Sequence, residues 1–402
     1  MRILKISDVY FPRINGVSTS IQTFRREFLA RGHEVSLVCP DYAGPGIGPD
    51  TGPKSGSSED AGLIRIPARV IPMDPEDRFL HLGALRRWGH KLRPGDFDLV
   101  HIHTPFAAHY LGLGIARRLR VPVVESYHTF FEEYLFNYIP WLPKNGLRWA
   151  ARHFSRSQCN AVDALVVPSR PMLETLRNYG VSNRAEIIPT GIYLPEFSQG
   201  DRQRFRQSQG IDPQRPVLVH IGRLAFEKNI GFLLEVLAQV RQQIPDILLV
   251  LAGEGPARAH LQQQAEQLGL SQQVRFVGYL ARGAELDDCY LAGDAFVFSS
   301  RTETQGLVLL EAMALGVPVV STAVMGTRDI LDAGQGALVA EEDVTDFSAK
   351  LVRLLRDQEL AQRLSAEGKA YAQQWSAGRM AERMLDYYAE IIRQGPHRQH
   401  GR

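Results

Sequence analysis

The segment Ala295-Phe296-Val297-Phe298-Ser299-Ser300-Arg301-Thr302-Glu303-Thr304-Gln305-Gly306-Leu307-Val308-Leu309-Leu310-Glu311-Ala312-Met313-Ala314-Leu315-Gly316-Val317-Pro318-Val319-Val320 decides the fold. A short apolar run at 295–299 reads as a strand, and a polar loop follows. A helix then starts near Gly306, and a second strand begins near Val317. Glu303 lies in the loop, and Glu311 about one and a half turns into the helix. The first helical amides and the positive end of the helix dipole favour phosphate. The segment could therefore hold a sugar hydroxyl, a diphosphate and a ribose together. Read as plain surface, Glu303 is a solvated loop residue and Glu311 a helix residue that offsets the dipole.

The same strand–helix rhythm runs outward in both directions. In the first half, strands are expected at 2–7, 34–38, 63–67, 97–101, 122–126, 164–167 and 186–188, with helices such as 18–30 and 106–119 between them. In the second half they fall at 217–221, 247–252, 274–277, 295–299, 317–321 and 336–339. Such alternation predicts an α/β fold of two doubly wound, Rossmann-like parallel sheets with helices on both faces. Gly191, Pro195 and Gly200 break the pattern, so the boundary falls between residues 190 and 200. The Pro/Gly/Ser-rich stretch 43–60 reads as a surface loop and the polar tail 396–402 as a frayed end.

Composition narrows the classes. Of 402 residues, 44% are hydrophobic and 22% charged, which is ordinary for a globular chain with room for two cores. No apolar run is long enough to span a bilayer. The start, Met1-Arg2-Ile3-Leu4-Lys5-Ile6-Ser7-Asp8, reads as a first strand rather than a cleavable leader. Three scattered cysteines suggest neither a disulfide framework nor a zinc site, so a cytoplasmic address is expected. The formal net charge of +2 is too small to suggest nucleic acid.

Ligands of such sheets bind beyond the carboxyl ends of the strands, which would place a site in a cleft between the two domains. Several motifs follow strands. Gly16, after strand one, is a tight turn on its own evidence, or a point where backbone approaches an anion. In Gly222-Arg223-Leu224-Ala225-Phe226-Glu227-Lys228-Asn229, Arg223 and Lys228 are either diphosphate ligands or two solvated cations. Gly253-Glu254-Gly255 permits close approach to a nucleotide and equally serves as a helix-start turn. His128 has His103 and His109 as rivals, and a lone histidine at a strand end is often structural.

Taken in order, these motifs resemble glycosyltransferase family 4, retaining enzymes of the GT-B fold. The Glu303–Glu311 pair, the Gly-Arg-Leu…Glu-Lys-Asn loop, the Gly-Glu-Gly turn and the Gly-Val after strand one all match, over nearly the whole chain. The resemblance implies a nucleotide-sugar donor, a hexosyl transfer and no cofactor or metal. It implies that Arg223, Lys228 and the backbone of Gly306, Leu307 and Val308 hold the diphosphate. Glu311 would bind the ribose, Glu303 the sugar, Val277, Gly278 and Tyr279 would lie against the base, and Gly253 would belong to the donor site. Gly16 would face the diphosphate, and His128 would be the active-site histidine. It further implies an acceptor domain, 1–192, completed by a returning helix at about 376–393, and a donor domain, 193–375. Asp96-Phe97-Asp98 spells a metal motif of other glycosyltransferases, but it opens a strand and so lies at the wrong end of the sheet.

The acceptor side has a separate signal. Lys144, Arg148, Arg152 and Arg156 recur every fourth residue, beside Trp141 and Trp149, with no acidic residue from 134 to 162. A second basic segment, 86–93, contains Trp88. A basic helix bordered by tryptophan can lie on an anionic bilayer, or it is a solvated face over an aromatic core. His103-Thr104-Pro105-Phe106, Tyr127-His128-Thr129 and Thr302–Gly306 are similar to bacterial diacylglycerol glucosyltransferases, which implies a lipid acceptor and a peripheral position on the inner face of the plasma membrane. A saccharide acceptor, a non-catalytic nucleotide-sugar-binding subunit and an epimerase are the alternatives.

Overall fold

Strand and helix alternate along the chain, and the two series fold as two units, Met1–Gly191 with Ala377–Arg402, and Ile192–Ser376. A computed structural model describes residues 1–13, 15–42, 62–71, 74–128 and 144–396. The expectations for 43–60, for 129–141 with Trp141, for the Lys144 side chain and for the last residues lie outside the described ones.

The first unit runs β1 (Arg2–Ile6), α1 (Gly16–Ala30), β2 (Glu34–Asp41), β3 (Leu63–Ile71), β4 (Asp74–Leu80), α2 (Leu82–Gly89), β5 (Leu99–Ile102), α3 (Ala107–Leu119), β6 (Val123–Ser126), α4 (Lys144–Cys159), β7 (Ala164–Val167), α5 (Arg170–Asn178) and β8 (Ala185–Ile187). Its sheet has the order β4-β3-β2-β1-β5-β6-β7-β8. All pairs are parallel except β3 with β4. Strand β4 was not expected. Its sequence, Asp-Pro-Glu-Asp-Arg-Phe-Leu, lacks an apolar alternation and carries a proline, features tolerated at a sheet edge. Helix α1 starts two residues earlier than expected, because Asn15 is its N-cap and accepts from Ser18 N. Gly16 is therefore the first helical residue rather than part of the turn.

The second unit runs α6 (Arg202–Ser208), β9 (Val217–Ile221), α7 (Ile230–Val240), β10 (Leu248–Ala252), α8 (Arg258–Gln267), β11 (Val274–Gly278), α9 (Ala284–Ala292), β12 (Ala295–Phe298), α10 (Leu307–Leu315), β13 (Val319–Thr322), α11 (Thr327–Leu331), β14 (Ala337–Ala340), α12 (Val344–Arg356) and α13 (Gln358–Ala372). The sheet, all parallel, is ordered β11-β10-β9-β12-β13-β14. The chain enters and leaves this unit side by side, where Ile192 N donates to Trp375 O (2.9 Å).

Helix α14 (Ala377–Gln394) then returns to the first unit. Met380, Ala381, Met384, Tyr388 and Ile391 recur at helical spacing and pack on Ile3, Val124, Val166 and Phe28. Each large side chain of this stripe contributes about 1.5–3 kcal/mol by burial. Among the described residues, no helix is long and apolar enough to cross a membrane.

Candidate functional site

In the second unit the strand order reverses between β9 and β12. The loops beyond those two strands frame the crevice where doubly wound sheets bind ligands. They are the loops that carry Arg223 with Lys228 and Glu303. The Lys228 ammonium and the Glu303 carboxylate form an ion pair, both about four-fifths buried. Ser299 Oγ ties the loops together by donating to Asn229 O (3.0 Å). Arg223 is exposed and has no ion-pair partner among the described residues. Arg301 turns aside and pairs with Glu342.

Neighbouring loops are bound edge to edge. Gly222 N donates to Ala252 O (3.0 Å), Leu224 N to Glu254 O (3.0 Å) and Gly253 N to Gly278 O (2.7 Å). Gly253 has φ +138°, and a Cβ there would lie 2.0 Å from Gly222 O. The close approach that requires glycine at 253 is thus to the next loop. Beyond β11, Gly278 sits in a left-handed conformation and Tyr279 is exposed, while Val277 packs on the core.

Helix α10 begins at Gly306, a left-handed N-cap (φ +94°) that a residue with a side chain would strain. Among the described residues no side chain caps this end, so the amides of Leu307 and Val308 stand at an open helix N-terminus. Five of the nine residues of α10 are buried apolar ones, and Glu311 is buried among them at 4% exposure. A buried carboxylate needs donors. Tyr290 Oη supplies one at 2.7 Å, and an Arg282 nitrogen lies 3.5 Å from the other oxygen. Burial and the adjacent Glu311 hold the Tyr290 phenol well above its usual range.

The first unit has its own cluster where its strand order reverses, between β1 and β5. His128 follows β6, and its Nε2 lies 3.2 Å from His103 Nδ1, with the two rings stacked. His103 Nε2 in turn lies 3.5 Å from the buried Lys5 ammonium. His101 bonds to Ser126 Oγ (2.8 Å) and to Tyr388 of α14. Of the three rival histidines in the sequence, two are neighbours in the fold. The third stands apart, since His109 is buried and bonded to Glu125 (3.0 Å). Gly16 lies at the start of α1, and a Cβ added there would have no described residue within 4 Å.

Burial lowers the proton affinity of these rings. His128 and His220 are pushed down to about 4, and His101 and His103 well below 6.5. Their neutral forms are favoured in the folded chain, whereas the unfolded chain takes up protons near pH 6.5. The stability they contribute is therefore complete above about pH 6.5 and is lost as pH falls toward about 4. The thermal midpoint is expected to fall between pH 7 and pH 5. His220→Phe, which keeps a ring beside Phe298, should make that decline shallower in a calorimetric pH series.

Two sequence features resolve simply. Asp98 accepts from Arg2 N and the Arg2 guanidinium (2.7 Å each) at the amino end of β5, and Asp96 accepts from Arg93 N (2.7 Å). Helix α4 buries Ala151, Ser155, Gln158 and Cys159 and exposes Arg148, Trp149, Arg152 and Arg156. Arg152 also lies over the Tyr179 ring, 5.5 Å from its centroid.

This geometry has relatives among known proteins. Residues 14–194 match the family model Glycosyltransferase Family 4, and residues 201–371 match Glycosyl transferases group 1. Over 328 residues the chain is 32% identical to the alpha-monoglucosyldiacylglycerol synthase of Streptococcus pneumoniae, covering 80% of this chain and 71% of that protein. The chain belongs to glycosyltransferase family 4. The transferase is also 32% identical to the sulfoquinovosyl transferase of Arabidopsis thaliana, across 95% of this chain and 72% of the relative. Its fold matches sucrose-phosphate synthase from Thermosynechococcus elongatus with a TM-score of 0.78 at 19% identity, covering 98% and 100% of the two chains. The transferase thus has the GT-B pair of Rossmann-like sheets.

Sequence reading of the transferase missed Tyr290, Arg282, Lys5 and His101. Tyr290 and Lys5 sit inside regular elements, at positions indistinguishable from core and surface by spacing. Only a buried charge that demands a partner, Glu311 or Lys5 itself, leads to them.

Proposed function

We propose that this transferase moves a hexose, glucose or a close analogue, from a uridine diphosphate sugar to a membrane lipid such as diacylglycerol, with retention at the anomeric carbon. The observation that carries the reading is the Lys228–Glu303 pair at the switch point of the second sheet. In the free protein the two charges neutralise each other. A nucleotide sugar offers each a separate partner: phosphate for Lys228 and sugar hydroxyls for Glu303. Arg223 and the α10 amides of Leu307 and Val308 add positive potential for the diphosphate, and Glu311 accepts from the ribose. Val277, Gly278 and Tyr279 line the base through backbone, and His128 is the proposed active-site histidine.

In the proposed step the anomeric C–O bond to the diphosphate breaks. The acceptor oxygen bonds on the same face, and its proton passes to the departing phosphate. Charge grows on the leaving group, so the cations and helix amides act there, and we assign no metal or cofactor to the reaction.

The lipid acceptor is supported by the named activity of the pneumococcal relative and by α4. Its outward Arg148, Arg152 and Arg156 beside Trp149 suit an anionic bilayer on the cytoplasmic side, at about 1 kcal/mol per cation near the surface. A screen of UDP- and GDP-sugars against lipid extract, with mass and anomeric analysis of the product, tests the reaction. A β-linked product, transfer only to water-soluble saccharides, or no turnover with any donor would each refute a stated part of it. Neutralising Lys144, Arg148, Arg152 and Arg156 together is expected to weaken binding to phosphatidylglycerol vesicles at least ten-fold, since four cations are lost. Unchanged binding in a sedimentation assay would remove the membrane role of α4.

A further inference from the structure

Glu311 is a buried carboxylate on an apolar helix, and two residues outside every motif hold it. Tyr290 is fully buried on α9 and donates its hydroxyl to Oε2 at 2.7 Å. Arg282, in the loop between β11 and α9, lies 3.5 Å from Oε1 and is partly exposed. An ionised carboxylate accepts about four hydrogen bonds, two on each oxygen. With one direction on Oε2 taken by the phenol and one on Oε1 faced by the guanidinium, each oxygen keeps one acceptor direction. Two acceptor directions on adjacent oxygens match the two adjacent hydroxyls of a ribose. Without Tyr290 the carboxylate could rotate about its terminal bond, which has only a broad torsional preference.

We propose that Tyr290 and Arg282 are positioning residues that orient the Glu311 carboxylate to accept from both ribose hydroxyls of the donor nucleotide. The proposal rests on the donor reading above. Tyr290 carries most of the effect, because its bond is buried and charge-assisted. Arg282 carries less, because a partly exposed ion pair contributes little.

The test compares two ligands on three proteins by isothermal titration: UDP and 2′,3′-dideoxy-UDP with the wild type, Tyr290→Phe and Arg282→Gln. Phenylalanine retains the ring that packs 5.4 Å from Phe296, so the core is kept. The wild type is expected to bind UDP much more tightly than the dideoxy analogue. Tyr290→Phe should weaken UDP about ten-fold and the analogue less than two-fold. Arg282→Gln should weaken UDP about three-fold and leave the analogue unchanged. A merely structural tyrosine would weaken both ligands equally, and that result overturns the proposal, as does no weakening of either. If the wild type binds UDP and its analogue equally, the ribose contact itself is wrong while nucleotide binding stands. If it binds neither UDP nor GDP, the donor reading fails and the proposal fails with it. Should GDP bind in place of UDP, GDP and its dideoxy analogue form the pair compared.

Discussion

Lys228→Ala is expected to lower kcat by about 100- to 1,000-fold, the loss typical of removing one preorganised group from developing transition-state charge. The pair with Glu303 makes the result interpretable. Alanine at 228 removes the cation proposed to meet the diphosphate and leaves the Glu303 carboxylate without its ion-pair partner. The pair is about four-fifths buried, so leaving the Glu303 carboxylate unpaired also costs stability, and the thermal midpoint should fall as well. A large fall in kcat measured well below that lowered midpoint, where the variant is folded, separates a chemical role from a structural one. Steady-state kinetics that show less than a ten-fold loss would remove Lys228 from the diphosphate site. Glu303→Gln should act mainly through the sugar. The double variant should be clearly non-additive, because the residues share one interaction.

The second large effect concerns stability. Gly253→Ala should destabilise the second unit by about 3 kcal/mol or more, through overpacking and a left-handed backbone that alanine resists. A Cβ at 253 would lie 2.0 Å from a carbonyl oxygen of the neighbouring loop, which is itself held in place by Ala252 O. For a unit of this size that corresponds to a fall of about 6–12 °C in its unfolding midpoint. Scanning calorimetry measures it directly, and a shift below 2 °C would show that the loop yields. Gly16→Ala is the control. It lies at a helix start with none of the described residues near the added methyl, so its stability should be unchanged. Any loss of activity there reports on a ligand rather than on packing.

Much of the architecture follows from local chemistry. Strand β7 at Ala164–Val167 and strand β9 at Val217–Ile221 lie where their apolar runs stand in the sequence. Buried parallel strands must be apolar on both faces, so the signal is continuous and short. Strand β4 escaped because a sheet edge asks little of its residues. It gains its hydrogen bonds from β3, and its own sequence shows no apolar period. Helix α1 starts at Gly16 and not near Ser18 because Asn15, a strong N-cap, accepts from Ser18 N.

The loops of the candidate donor side were legible for a similar reason. Loops at the carboxyl ends of parallel strands are where ligands bind, and Arg223, Lys228, Glu303 and the start of α10 each follow a strand directly. The alternation of strand and helix, the position of these loops and the charge of α4 are all written in local sequence. Long-range packing settles which loops meet: strand order reverses between β9 and β12, and this brings Lys228 to Glu303 across 75 positions of sequence. The same packing places His103 rather than His109 beside His128, and Tyr290 and Arg282 against Glu311. These are consequences of burial, because a charged or polar group removed from water must find a partner, and which partner is nearest depends on the packing of distant segments.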